Sequence, residues 1–142
     1  MKTLVCFHNH GAHFLDPLLK EGFRHCFVAV LSGDYWVRID GMGGVPEIEV
    51  VAGADYDLAA FYRRQGYAVV ETEQRVRQPI APFVAANCVG VVKAVLGLRA
   101  PFALTPYRLY IRLLEDNDAA RKIAGIPAEA VNTAAPASCP DA

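Results

Sequence analysis

The stretch "HCFVAVLSGDYWVRID" (residues 25–40) decides the architecture. Two runs rich in β-branched and aromatic residues, 25–31 and 35–40, flank "SGD". Gly33-Asp34 is a two-residue hairpin signal, because the favoured tight turns need positive φ at their central positions. With those two residues as the turn, Ser32 pairs with Tyr35 and Phe27 with Asp40. Side chains two apart share a face of a strand, so Asp40 and His25 stand on one side of the sheet as diagonal neighbours. Cys26 alternates to the other face and reads as packing. A one-residue slip in register would send Asp40 to the opposite face.

Outward from the hairpin, "KTLVCF" (2–7) has the character of a buried strand, and "HNHGAH" (8–13) interrupts it with turn-type residues. "FLDPLLKEGF" (14–23) has room for one short helical turn before Gly22. "GMGGV" (41–45) reads as loop, and "PEIEVVA" (46–52) alternates apolar and acidic residues like a half-exposed strand. "DYDLAAFYRRQG" (55–66) is a short helix, with Asp55 or Asp57 near its start, Arg63 and Arg64 on a solvated face and Gly66 as its left-handed stop. "YAVVETEQRV" (67–76) returns as a strand. "FVAANCVGVVKAVLGL" (83–98) is an apolar helical stretch in which Asn87 and Cys88 form the opening and Gly97 the stop. In "TPYRLYIRLLED" (105–116), Thr105 is an N-cap, Pro106 takes the first helical position, and Leu109, Leu113 and Leu114 recur at helical spacing. From about Asp118 the chain turns to Ala, Pro, Asn and Ser, which predicts a flexible tail over 118–142. The sum is one α+β domain over 1–117, an antiparallel sheet of four to five strands packed against two to three helices.

Composition narrows the function. Of 142 residues, 54% are hydrophobic, enough for one compact core. A formal net charge of −1 supplies no field for attracting nucleic acid or an anionic membrane. No run approaches the length of a membrane-spanning helix, and His8, Asn9 and His10 break the N-terminal apolar run too early for a signal peptide. The expectation is a cytoplasmic protein whose four cysteines, Cys6, Cys26, Cys88 and Cys139, are free thiols. They include no C-x-x-C pair.

Two groups of residues carry possible chemistry. In "CFHNHGAH", Cys6, His8, His10 and His13 are metal-ligand types, and the first three converge if the strand extends that far. No second ligand pair appears downstream, so polar loop histidines are the plainer reading and no metal is assigned. The other group is Cys88, His25 and Asp40. A reactive cysteine needs surroundings that stabilise its thiolate, together with a base or cation held by a third group. In the first turn of its helix Cys88 has the N-terminal field and unpaired backbone N–H groups, which also suit an oxyanion hole. His25 starts a strand and is positioned by a ladder, and Asp40 beside it can fix its tautomer and favour the imidazolium. The competing reading is that Cys88 is core and His25 inert. Asn87, Trp36 and Arg38 are candidate substrate-binding residues around this group, although sheet packing explains Trp36 and Tyr35 equally well. "GMGG" (41–44) lacks the Lys-Ser/Thr of a phosphate-binding loop.

"GFRHCFVAVLSGDYWVRID" followed much later by "NCVGVVKAVLG" resembles the permuted branch of the NlpC/P60 superfamily of papain-like cysteine peptidases and acyltransferases. The resemblance spans roughly residues 22–98, on short motifs. In that branch the His strand precedes the Cys helix, and an Asn-Cys dipeptide commonly opens the helix. The resemblance implies a papain-like fold, with Cys88 as nucleophile, His25 as the strand histidine and Asp40 as the polar third residue. Two departures are visible. The Asn-Cys-Glu-His-Phe run of the lecithin:retinol acyltransferase-like relatives is replaced by "NCVGVVK", and the third residue is an acid where those relatives often have a second His. They direct the expectation away from lipid acyl transfer and towards a thiol hydrolase or amidase acting on a peptide or acyl substrate, such as cell-wall-type peptides, with no exogenous cofactor. The compact size and "LTPYRLYIRLL" (104–114) are also similar to small prophage proteins. The alternative is a non-catalytic assembly or interaction module of the same fold, in which Cys88 is buried and unreactive.

Overall fold

A computed structural model describes residues 1–10, 18–41, 45–75 and 87–124. The elements in chain order are β1 (Lys2–His8), β2 (His25–Ser32), β3 (Tyr35–Asp40), β4 (Glu47–Gly53), α1 (Leu58–Arg64), β5 (Ala68–Glu73), α2 (Cys88–Leu96) and α3 (Pro106–Ala124). The strands form one antiparallel sheet in the order β4-β3-β2-β1-β5. The chain is therefore α+β, with five strands and three helices among the described residues.

The hairpin has the register its sequence predicts. Ser32 pairs with Tyr35 and Val28 with Ile39, and Gly33 has φ of +59°, the left-handed conformation that such a turn requires. β1 runs one residue further than expected, to His8, which pairs with His25. Three strand ends thus bring His8, His25 and Asp40 together at one end of the sheet.

Period-two alternation divides the apolar residues between two cores. Val5, Phe7, Cys26, Val28, Val30 and Val70 face α2 and α3, which contribute Val89, Val92, Leu96, Leu109 and Leu113. Leu4, Cys6, Phe27, Ala29 and Trp36 face α1, which contributes Leu58, Ala59 and Tyr62. Leu109 is 0% exposed and Leu113 1%, so α3 is held by leucines worth roughly 1.5–3 kcal/mol each on burial. Phe7 and Phe23 add ring contacts to Tyr110 at 5.3 Å and 4.8 Å between centroids.

The helix ends follow their sequence signals. Asp57 caps α1, its carboxylate accepting from the Ala60 N–H at 2.9 Å. Gly66 lies beyond that helix at φ +82°, and Gly97 ends α2 at φ +65°. β5 stops at Glu73 rather than running to 76, because the chain turns towards α2: the Gln74 side chain donates to the Val95 carbonyl at 2.8 Å, and the Arg75 N–H to that of Leu96 at 2.9 Å. The tail expected from Asp118 is helical over its first seven residues. Helix α3 continues to Ala124, since Ala119, Ala120, Arg121 and Lys122 are strong helix formers and two basic residues in the last turn oppose the helix dipole. The expected turn in 14–17, loop residues 42–44, the start of the apolar stretch at 83–86, His13, Cys139 and the rest of the tail lie outside the described residues.

Candidate active site

Asn87 and Cys88 open α2 as the sequence implies, and the reason is local. Asn87 has extended dihedrals and its side-chain oxygen accepts from the Gly90 N–H at 2.8 Å, while its carbonyl takes the Val91 N–H at 3.0 Å. Those two amides are satisfied. Cys88 and Val89 belong to the same first turn, whose N–H groups have no acceptor within the helix. The Asn87 side-chain oxygen is thereby engaged by the cap.

The first turn of α2 lies close against the end of β3, and Gly41 permits this. A Cβ on Gly41 would stand 2.6 Å from Val91 Cγ2, 3.0 Å from Val91 Cβ and 3.3 Å from Cys88 Cα. Any side chain there would lift the helix start off the sheet.

Cys88, half buried, rests on the core that includes Cys26. His25, the first residue of β2, and Cys88, the first of α2, each act on the other's ionisation. His25 Nε2 and Asp40 Oδ1 are 2.7 Å apart, with side chains 7% and 8% exposed. The ring N–H donates to the carboxylate. That bond occupies Nε2 and leaves Nδ1 as the ring nitrogen free of Asp40.

The electrostatics follow from these contacts. A hydrogen bond from the Cys26 thiol is the largest influence on Cys88. It outweighs the opposing effect of burial and, with the His25 ring's hydrogen bond and charge, brings the Cys88 thiol down to about 4. For His25, burial disfavours the charged ring, but hydrogen bonds to Asp40 and Cys88 and the negative charge of both raise it to about 9. The Cys26 thiol is pushed well up, first by burial and then by Cys88. At neutral pH the group is a Cys88 thiolate against a His25 imidazolium, with Cys26 kept as a thiol.

His8 completes the surroundings. Its ring is 5.1 Å from that of His25 between centroids and stacks on Tyr67 at 4.8 Å, and its Nδ1 accepts from the His10 N–H at 3.1 Å. Burial, then the charge of His25, lowers it to about 4, so His8 is neutral beside the charged ring. Among the described residues no group of His, Cys, Asp or Glu has the arrangement of a metal site.

The remaining nominees fall elsewhere. Trp36 is 3% exposed in the α1-facing core, four residues or roughly 13 Å along β3 from Asp40. It packs against the hairpin end and does not reach Cys88. A shallow cavity of about 350 Å³ near Trp36, Lys2 and Arg63 lies at that far end as well. Arg38 shares the face of His25 and Asp40, but its guanidinium contacts Glu47 at 3.4 Å and Glu49 at 3.7 Å and lies 5.6 Å from the Phe27 ring centre. Cys26 is a core residue, as its strand position predicts, and its effect on the Cys88 thiol is the part that sequence reasoning did not anticipate. Strand alternation did place it on the helix face, yet which helix turn it would meet depends on long-range packing. Comparison of the chain with family models, with curated proteins and with solved structures finds no match.

Proposed function

We propose that the protein is a thiol-dependent hydrolase of the papain-like type, in which Cys88 attacks the carbonyl carbon of an amide, ester or thioester. The observation that carries this reading is the buried 2.7 Å carboxylate–imidazole bond between Asp40 and His25, supported by the mutual influence of His25 and Cys88 on each other's ionisation. The thiolate forms the bond to carbon, and the carbonyl oxygen takes up negative charge facing the Cys88 and Val89 amides. The imidazolium gives its proton to the leaving amine or alkoxide, and the acyl group stays on sulfur as a thioester. Neutral His25 then takes a proton from water as it attacks, the thioester breaks, and the acid and the paired Cys88 are restored. Asp40 holds the ring in one tautomer throughout. The mechanism needs no cofactor.

The resemblance to permuted NlpC/P60-like proteins favours peptide substrates of the cell-wall type, and the similarity of the compact chain and of "LTPYRLYIRLL" (104–114) to small prophage proteins favours a phage-derived setting. No helix among the described residues is long and apolar enough to cross a membrane.

Turnover of activated acyl esters and of short peptide amides by the reduced, full-length protein tests the reading. Wild type should hydrolyse at least the esters and accumulate a thioester at low pH, while Cys88→Ala should do neither. Equal turnover by wild type and Cys88→Ala would remove Cys88 from the chemistry.

A further inference from the structure

We infer that Cys26 and Cys88 form a reversible redox pair, in which a hydroperoxide oxidises Cys88 and Cys26 closes a disulfide onto it. The hydrolytic reading gives Cys26 only an electrostatic part, yet the fold places it against the reactive sulfur. Cys26 points from β2 to the α2 face and belongs to the core on which Cys88 rests. Gly41 follows Asp40 at the end of β3, and its bare Cα lets the first turn of α2 descend onto this corner. Cys26 is also the group with the largest effect on the Cys88 thiol, which it lowers, as a thiol packed beside it on the same face would.

The two thiols differ in the way such a pair requires. Cys88 is partly exposed and so within reach of a small oxidant, whereas Cys26 is 0% exposed and shielded from it. Cys6, equally buried, lies on the α1 side of the sheet and has no path to Cys88. All three are free thiols here.

The chemistry balances without a cofactor. The Cys88 thiolate attacks the outer oxygen of the hydroperoxide, the O–O bond breaks, and the departing alkoxide or hydroxide takes the His25 proton, leaving Cys88 as a sulfenic acid. Neutral His25 then accepts the Cys26 proton as the Cys26 sulfur attacks Cys88. The S–O bond breaks, hydroxide leaves with that proton as water, and the disulfide forms. Two equivalents of an external thiol restore both residues by exchange. The disulfide withdraws Cys88 from acyl chemistry while protecting it from irreversible oxidation.

The inference shares the Cys88 thiolate with the proposed hydrolase but uses none of its acyl steps, so either can fail alone. The test treats full-length protein with hydrogen peroxide at equimolar ratio, blocks remaining thiols, and maps peptides without reduction. The expected result is a Cys26–Cys88 linked peptide that disappears on adding dithiothreitol, and a several-fold rise in Cys88 sulfinic acid in Cys26→Ala. Should that variant not fold, the wild-type map still decides. Cys88 advancing to sulfinic acid in wild type with no link to Cys26, or a link to Cys6 or to a second chain instead, would overturn the inference. Ester turnover by reduced protein reports separately on the hydrolase.

Discussion

His25 Nε2 lies 2.7 Å from Asp40 Oδ1 across neighbouring strands, and both side chains are almost wholly buried. The bond follows from hairpin register: the turn at Gly33-Asp34 pairs Val28 with Ile39, which sets Asp40 diagonal to His25 on the same face. Asp40→Asn keeps the shape and removes the charge. The imidazole should then titrate well below its present value of about 9, and the Cys88 thiol should rise. A histidine NMR titration checks this, and an unshifted His25 would refute it.

Removing the ring itself should cost more. His25→Ala takes away both the cation that holds the Cys88 thiolate and the proton donor for the leaving group. Steady-state turnover of an amide substrate should fall by about 10²–10⁴-fold. The fall should be smaller for an ester with a good leaving group, which needs less protonation.

Stability should decline on the acid side, between about pH 6.5 and 4. Cys88 is lowered from 9.0 to about 4, so its contribution is present above 9.0 and is lost as pH falls towards 4. His25 is raised from 6.5 to about 9, so its contribution is full below 6.5 and is lost as pH rises to 9. Between 6.5 and 9 the two slopes oppose each other, because folding takes up one proton at His25 and releases one from Cys88. Below 6.5 only the Cys88 loss continues, and His8, lowered from 6.5 to about 4, adds to it in the same direction. Urea midpoints should therefore be level from pH 7 to 8.5 and fall from 6.5 to 4. The fall should be shallower in His8→Gln and in Cys88→Ala.

Gly41→Ala should destabilise the protein by about 1–3 kcal/mol, since the new methyl meets the stiff, β-branched Val91 at 2.6 Å. Val91→Ala in the same chain should restore part of the loss, a coupling that a double-mutant cycle of denaturant midpoints measures. Additive effects would mean that Gly41 matters for another reason.

Lys93 lies on the buried side of α2 and donates to the Ala100 and Ala103 carbonyls at 3.1 Å and 3.0 Å. These bonds tie the turn after α2 to the helix. Lys93→Met keeps the apolar stem but leaves two carbonyls unsatisfied, and should cost roughly 1–3 kcal/mol in thermal or denaturant unfolding.

The sequence exposes the parts of this arrangement that local rules control. Gly33-Asp34 fixes the hairpin and so the His25–Asp40 relation. Asn87 and Gly97 mark the ends of α2 because capping needs an acceptor at one end and positive φ at the other. Long-range packing conceals the remainder. Alternation says that Cys26 faces away from its neighbours His25 and Phe27, but only the docking of α2 brings Cys88 onto that face. Trp36 shows the opposite error: proximity in sequence to Asp40 suggested a groove, while four residues of extended chain carry it to the far end of the sheet. The extra turns of α3 past Asp118 have no apolar face to announce them and rest on propensity alone.

The account depends on an ion pair between Cys88 and His25, and the pH dependence of Cys88 alkylation by iodoacetamide in native protein measures it most directly. With the thiol at about 4, the rate should stay nearly flat from about pH 5 to 8, and His25→Ala should convert it to a rising curve. A wild-type rate climbing about tenfold per pH unit towards the ordinary thiol range, or labelling that begins only on unfolding, would contradict the account.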